Sequence, residues 1–187
     1  MIVQGYEDIV YEKEDHLAII TLNRPAKLNA ITMPMRKSLL KAFDDIRTDD
    51  NVRVLIVTGS GRGFCSGEDV GFQADLLVQP FEKQSRRLKL QNAYELGPIL
   101  PTIWKPIIAA VNGVAAGGGL SIAAECDIRI ASEQARFSSI FIRRALMPDN
   151  SLTWFLPRLV GLSKAYEMMW TGDMIDAKEA LRIGLVS

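Results

Sequence analysis

Histidine and cysteine are scarce: His16, Cys65 and Cys126 are the only such residues in 187. Metal centres usually draw several ligands from these two types, so no metal is expected. Two cysteines do not make a disulfide framework. With no charged-then-apolar leader, they point to a reducing, cytoplasmic setting. No apolar run approaches the roughly 18 residues of a membrane-spanning helix, so no membrane partner is expected. Charge of one sign is also lacking. Lysine plus arginine and aspartate plus glutamate number 22 each, leaving no net field to gather nucleic acid. What is present is a 48% hydrophobic, 24% charged chain, suited to one globular domain over residues 1–187 with a developed core.

The hydrophobic pattern alternates between strand and helix. Residues 7–12 and 16–22 are β-branched runs across a charged turn and predict a hairpin. Thr32 is placed to cap a helix with Pro34 in its first turn, and Leu39, Leu40, Phe43 and Ile46 recur at helical spacing. Val52 to Thr58 predicts a strand buried on both faces, ending in the tight loop 59–63. A helix is expected over 81–100, strands over 107–111 and 127–131, and a glycine-entered helix over 117–124. The segments 152–160, 163–171 and 176–184 predict closing helices. This order implies an α/β fold with parallel pairing.

Two segments carry the chemistry. Gly117-Gly118-Gly119 follows a strand and opens an apolar helix, whose unpaired N–H groups and partial positive charge suit a developing oxyanion. Tight packing of helix on strand would explain the same glycines. Gly61-Arg62-Gly63-Phe64-Cys65-Ser66-Gly67-Glu68-Asp69 also follows a strand and can offer an opposing N–H donor. Turns after parallel strands converge at one end of a sheet, where ligands bind.

Together these segments resemble the crotonase, or enoyl-CoA hydratase/isomerase, superfamily. Further matches are Leu22-Asn23-Arg24-Pro25, Lys27-Leu28-Asn29-Ala30, Lys105-Pro106, Ala110-Val111-Asn112-Gly113, Thr171-Gly172 and Gly184-Leu185-Val186. The resemblance runs over essentially the whole chain. It implies a spiral of repeated ββα units with C-terminal helices, no cofactor beyond the coenzyme A of an acyl-CoA substrate, and a homotrimer or dimer of trimers. It also implies oxyanion donors at the N–H groups of Ser66 and Gly118, and a CoA site drawn from Lys27, Leu28, Phe64, Ser66, Gly67, Glu68 and Asp69. Lys27 would lie near the phosphates, and the adenine near residues 64–69. Relatives continue past the motif ending at Val186 into helices that complete the acyl pocket and the trimer, so that segment is expected to be missing or unrepresented here.

The chain departs from the hydratase pattern where the two usual glutamates stand: Ser121 and Phe141 occupy those places. Water addition needs a base for water and a proton source for the α carbon, so ordinary hydratase chemistry is not the first expectation. Asp149, in Leu146-Met147-Pro148-Asp149-Asn150, resembles the aspartate base of isomerases acting on 3-enoyl-CoA and on the ring epoxide of phenylacetyl-CoA. One carboxylate can move a double bond by taking the α proton and returning one at the γ carbon. The expected function is therefore enoyl-CoA isomerisation with Asp149 as base. Alternatives are a hydratase of fatty-acid or aromatic-acid breakdown, or a silent acyl-CoA-binding scaffold.

Several local readings compete. Asp149 could cap the helix that follows it, and Glu68 could be a capping or solvated residue, with a role as backup acid. Gly63-Phe64-Cys65-Ser66-Gly67 fits a cysteine nucleophile elbow, but His16 falls too early in the chain for its base. Phe64 stands where a dinucleotide motif needs its last glycine. In the variable stretch from Gly71 to Arg87, Phe72, Leu76 and Leu77 are expected to line an acyl tunnel. Ser151 and Leu152 replace glycines common in relatives, which would narrow the approach to Asp149.

Overall fold

The computed structural model describes residues 1–71, 99–148 and 150–187. The predicted helix over 81–100, apart from its last two residues, and the tunnel residues Phe72, Leu76 and Leu77 lie outside the described residues. Among the described residues ten strands form two sheets. The larger has the order β1 (Ile2–Val3), β2 (Ile9–Glu14), β3 (Leu17–Leu22), β4 (Val54–Gly59), β6 (Ile107–Val111), β8 (Ile128–Ala131). The smaller has the order β10 (Ile175–Asp176), β9 (Arg136–Ser138), β7 (Val114–Ala116), β5 (Gly63–Cys65).

The expected hairpin is β2–β3, paired antiparallel from Ile9–Leu22 to Glu14–Leu17. From β3 through β4 and β6 to β8 the pairing is parallel, as the α/β order requires. After each of β4, β6 and β8 the chain steps at once into the smaller sheet, as β5, β7 and β9, which also run parallel. This stepping makes the expected spiral. The small strands escape a sequence reading because three residues are too short to show alternation.

Helix α1 (Met33–Thr48) starts where Thr32 accepts a 3.1 Å hydrogen bond from the Met35 N–H, a cap worth about 1 kcal/mol. It buries Met35, Leu39, Ala42, Phe43 and Ile46, spaced as one face of a helix. Its C-terminal carbonyls meet the Lys105 ammonium, which donates to the carbonyls of Ile46 and Asp49 at 2.6 Å. Helix α2 (Gly118–Glu125) is buried at every residue and so shows no polar face. Helices α3 (Leu152–Val160), α4 (Leu162–Thr171) and α5 (Ala177–Arg182) close the described chain. The C-terminal stretch is tied to β8 by Arg129, whose Nε donates to the Leu185 carbonyl at 2.8 Å.

Candidate active site

The site begins with two side-chain amides, buried Asn29 and half-buried Asn112, that shape the β4–β5 turn. Asn29 Nδ2 donates to the carbonyls of Ser60, Gly63 and Phe64 at 2.8–3.2 Å, while its Oδ1 accepts from the Arg24 N–H at 2.8 Å. From the other side, Asn112 Nδ2 donates to the carbonyls of Gly61 and Gly63, and its Oδ1 accepts from the Gly59 N–H. A turn that carries the chain from one sheet into the other exposes carbonyls that no ladder can pair, and these amides pair them. The 23–30 loop, the β4–β5 turn and the end of β6 are thereby locked together.

Beyond β5 the chain runs alongside Ile31. The Ile31 N–H donates to Gly67 O at 2.8 Å and the Asp69 N–H donates to Ile31 O at 3.0 Å, forming a parallel bridge between Ile31 and Glu68. In such a bridge the N–H of the central residue points away from its partner, so that of Glu68 faces the side opposite Ile31. On that side lies the glycine turn. A Cβ on Gly67, whose φ is +96°, would stand 2.9 Å from Ala116 O and 3.2 Å from Gly118 N. Gly117 caps α2, and Gly118 and Gly119 fill its first turn, where N–H groups lack helical acceptors. Glycine is needed at 119 because a Cβ there would overlap the Cys65 carbonyl, 2.7 Å from its carbon.

Between the two turns is a cavity of about 100 Å³, lined by Ser66, Gly67, Glu68, Gly118, Phe141 and Arg144 among others. The structure thus brings together the two glycine-rich segments singled out in the sequence. One expected donor needs moving, because the Ser66 N–H is committed to the Leu28 carbonyl at 2.9 Å. Gly118 stands at the first position of α2, where its N–H has no helical acceptor.

The remaining expected residues are distributed as follows. Lys27 is exposed at the end of a 3₁₀ turn, Pro25–Lys27, and Leu28 is half-buried against Gly63 with φ +49°. Phe64 is wholly buried and its ring belongs to the core. Asp69 accepts from Arg24 at 3.0 Å, and this guanidinium holds its carboxyl below the usual carboxylate range. Glu68 accepts a hydrogen bond from Arg36, itself only 4% exposed. Ser121 is fully buried, its hydroxyl 3.4 Å from Gly117 O, and Phe141 packs over the same glycine. Neither can supply a carboxylate.

Asp149 lies outside the described residues. Its neighbour Asn150 reaches the site: Asn150 Nδ2 would be 3.7 Å from a Cβ on Gly118. Helix α3 takes Ser151 as its N-cap residue, in the left-handed region at φ +63° and with no side-chain cap bond.

Rival chemistries find no support. Cys65 is fully buried, with its thiol pushed up to about 12 by desolvation, whereas a nucleophile needs an accessible thiolate. His16 bonds to the Asn51 carbonyl in the β2–β3 region. Among the described residues no group of three His, Cys, Asp or Glu could hold a metal, and no helix is long and apolar enough to cross a membrane.

Arg36, Asn29 and Asn112 were not assigned roles from the sequence. Arg36 left a trace, since it falls three before Leu39 and seven before Phe43, on the buried stripe of α1. A lone cation on such a stripe signals a buried anion to meet it.

The enoyl-CoA hydratase/isomerase family pattern matches residues 12–187. A protein of Rhodobacter capsulatus named "Probable enoyl-CoA hydratase" is 41% identical over 185 residues, covering 97% of this chain and 68% of that relative. The (E)-benzylidenesuccinyl-CoA hydratase of Thauera aromatica is 40% identical, covering 96% of this chain and 68% of the relative. The coverage falls to 59% of a relative from Mycobacterium leprae, so the chain spans about two thirds or less of the length of these curated relatives. The crystal structure of an enoyl-CoA hydratase/isomerase from Cupriavidus metallidurans superposes with a TM-score of 0.87 at 33% identity, covering 98% of this chain and 68% of that one. With its spiral fold and two converging glycine turns, the chain belongs to the enoyl-CoA hydratase/isomerase, or crotonase, family.

Proposed function

We propose that the protein acts on acyl-CoA thioesters through an enolate held between the N–H groups of Gly118 and Glu68. The observation that carries this reading is the meeting of the two turns at one cavity, with the Glu68 N–H directed away from Ile31 and toward the start of α2. A thioester oxygen placed there gains negative charge as the α proton leaves. Preoriented backbone donors and a helix N-terminus favour that charge more than the ground-state carbonyl. Lys27, exposed at the end of the Pro25–Lys27 turn, is assigned to the CoA phosphates.

Within this chemistry the assigned reaction is double-bond isomerisation with Asp149 as base. Its carboxylate takes the α proton of a 3-enoyl thioester, the C–H electron pair runs toward the thioester oxygen, and the same carboxyl returns the proton to the γ carbon. Support comes from Ser121 and Phe141, which leave no carboxylate at those two positions, and from Asn150, which brings the segment next to Asp149 up to Gly118. Hydration is a second reading, favoured by the names of the relatives. Assembly as a homotrimer or dimer of trimers goes with the same proposal. It is supported by Trp154, Trp170 and Met174, each more than half exposed.

The test is exchange of the α protons of butanoyl-CoA in deuterated water, together with conversion of a 3-enoyl-CoA to the 2-enoyl-CoA. Both should proceed in the wild type and fall by about 10² to 10⁴-fold in Asp149→Asn. Exchange that persists in the variant would remove Asp149 as the base. No exchange in the wild type, with acyl-CoA still bound, would replace the enzyme by a binding scaffold.

A further inference from the structure

Among the described residues lining the cavity between the two turns, Arg144 is the one cation. It ends the 3₁₀ turn Ile140–Arg144, in which side chains three apart fall on one face. Arg144 therefore shares a face with Phe141, whose ring would lie 4.0 Å from a Cβ on Gly117, at the entry to α2. The preceding Arg143 is used elsewhere, donating to the Thr171 carbonyl and to Asp173. Arg144 is exposed and makes no hydrogen bond or ion pair among the described residues. Glu68, the carboxylate that lines the same cavity, accepts from Arg36 instead.

A guanidinium left free at a binding cavity offers a planar fork of donors that matches a carboxylate. The rest of the wall suits other parts of a ligand. Val70, Ile140, Phe141 and Leu146 favour an apolar chain, and on the enolate reading the thioester oxygen goes to backbone N–H groups. The cavity is small, about 100 Å³, so Arg144 and the start of α2 border the same few atoms of a ligand. The phosphates of coenzyme A are separated from its sulfur by the whole pantetheine arm. A cation beside the thioester therefore meets the acyl group rather than the phosphates.

We propose that Arg144 sets the substrate class: the acyl group carries a carboxylate a few carbons from the thioester, and Arg144 receives it. The proposal rests on the enolate reading above for the position of the thioester carbonyl. The ion pair forms on binding and persists through the reaction, so Arg144 is a specificity residue and takes no part in proton transfer. The acyl chain is then held at both ends, at the oxyanion turns and at the 3₁₀ turn, with its α carbon between them.

The test uses glutaryl-CoA and 5-methylhexanoyl-CoA, which are similar in shape and differ in whether the chain ends in a carboxylate or in two methyl groups. Dissociation constants, and rates of α-proton exchange in deuterated water, are measured for both with wild type, Arg144→Gln and Arg144→Lys. Wild type should bind glutaryl-CoA more tightly, by a margin that shrinks with added salt. Arg144→Gln should lower the ratio of the two affinities by about 10-fold or more, and Arg144→Lys should keep part of it. A wild type that prefers the methyl-ended ligand overturns the proposal. So does a ratio unchanged in Arg144→Gln, since a merely structural role would weaken both ligands together. If glutaryl-CoA binds with the expected preference but neither ligand exchanges, the enolate reading fails while the assignment of Arg144 stands.

Discussion

Glu125, at the C-terminal end of α2, offers a stability measurement with a definite sign. It is 6% exposed, its Oε1 has no hydrogen-bond partner among the described residues, and it borders a cleft with Leu100, Trp104, Ile107 and Phe155. The nearby charged groups are engaged elsewhere, Lys105 with the carbonyls ending α1 and Asp127 with the Ile107 N–H. Desolvation pushes the carboxyl from 4.5 up to about 8. A carboxyl raised on folding keeps its proton in the folded chain while the unfolded chain loses it. Its contribution is therefore complete below pH 4.5 and declines as pH rises toward about 8, where it is lost. Each pH unit in that window removes about 1.4 kcal/mol, so wild type should lose about 4 kcal/mol from this group between about pH 5 and 8. Glu125→Gln keeps the shape and removes the titration. Urea unfolding of both proteins across this range should give curves that diverge, the variant gaining on the wild type at each step upward. Parallel curves would refute the reasoning and show that Glu125 is solvated or paired.

Three substitutions probe the framework of the site. Gly67→Ala places a Cβ against Ala116 O at positive φ and should displace one oxyanion donor, lowering kcat by about 10² to 10³-fold with a smaller change in KM, as steady-state kinetics would show. Gly119→Ala drives a methyl into the Cys65 carbonyl and must separate α2 from β5. A loss of about 3 kcal/mol or more in urea unfolding is expected. Asn29→Ala leaves buried carbonyls of the β4–β5 turn and the Arg24 N–H short of partners. It should cost about 2 to 4 kcal/mol and lower Tm, whereas a change near zero would show that water replaces the amide.

The strand and helix order, the hairpin, the Thr32 cap and the pair of glycine-rich turns were legible in the residues, because alternation, helical spacing, capping and glycine are local signals that precede any tertiary contact. The likeness of those spaced motifs to one family was legible for the same reason. Only the tertiary structure decided that the Ser66 N–H is taken by the Leu28 carbonyl while that of Glu68 points away from Ile31. Ser66 and Glu68 are two residues apart, and the difference between them depends on Leu28 and Ile31, about 37 residues earlier in the chain, each taking a hydrogen bond from the 66–69 segment. The same holds for Arg36 with Glu68 and for Asn29 and Asn112 with the β4–β5 turn. A side chain's role in such contacts depends on what the fold sets opposite it, and no spacing along the chain encodes that.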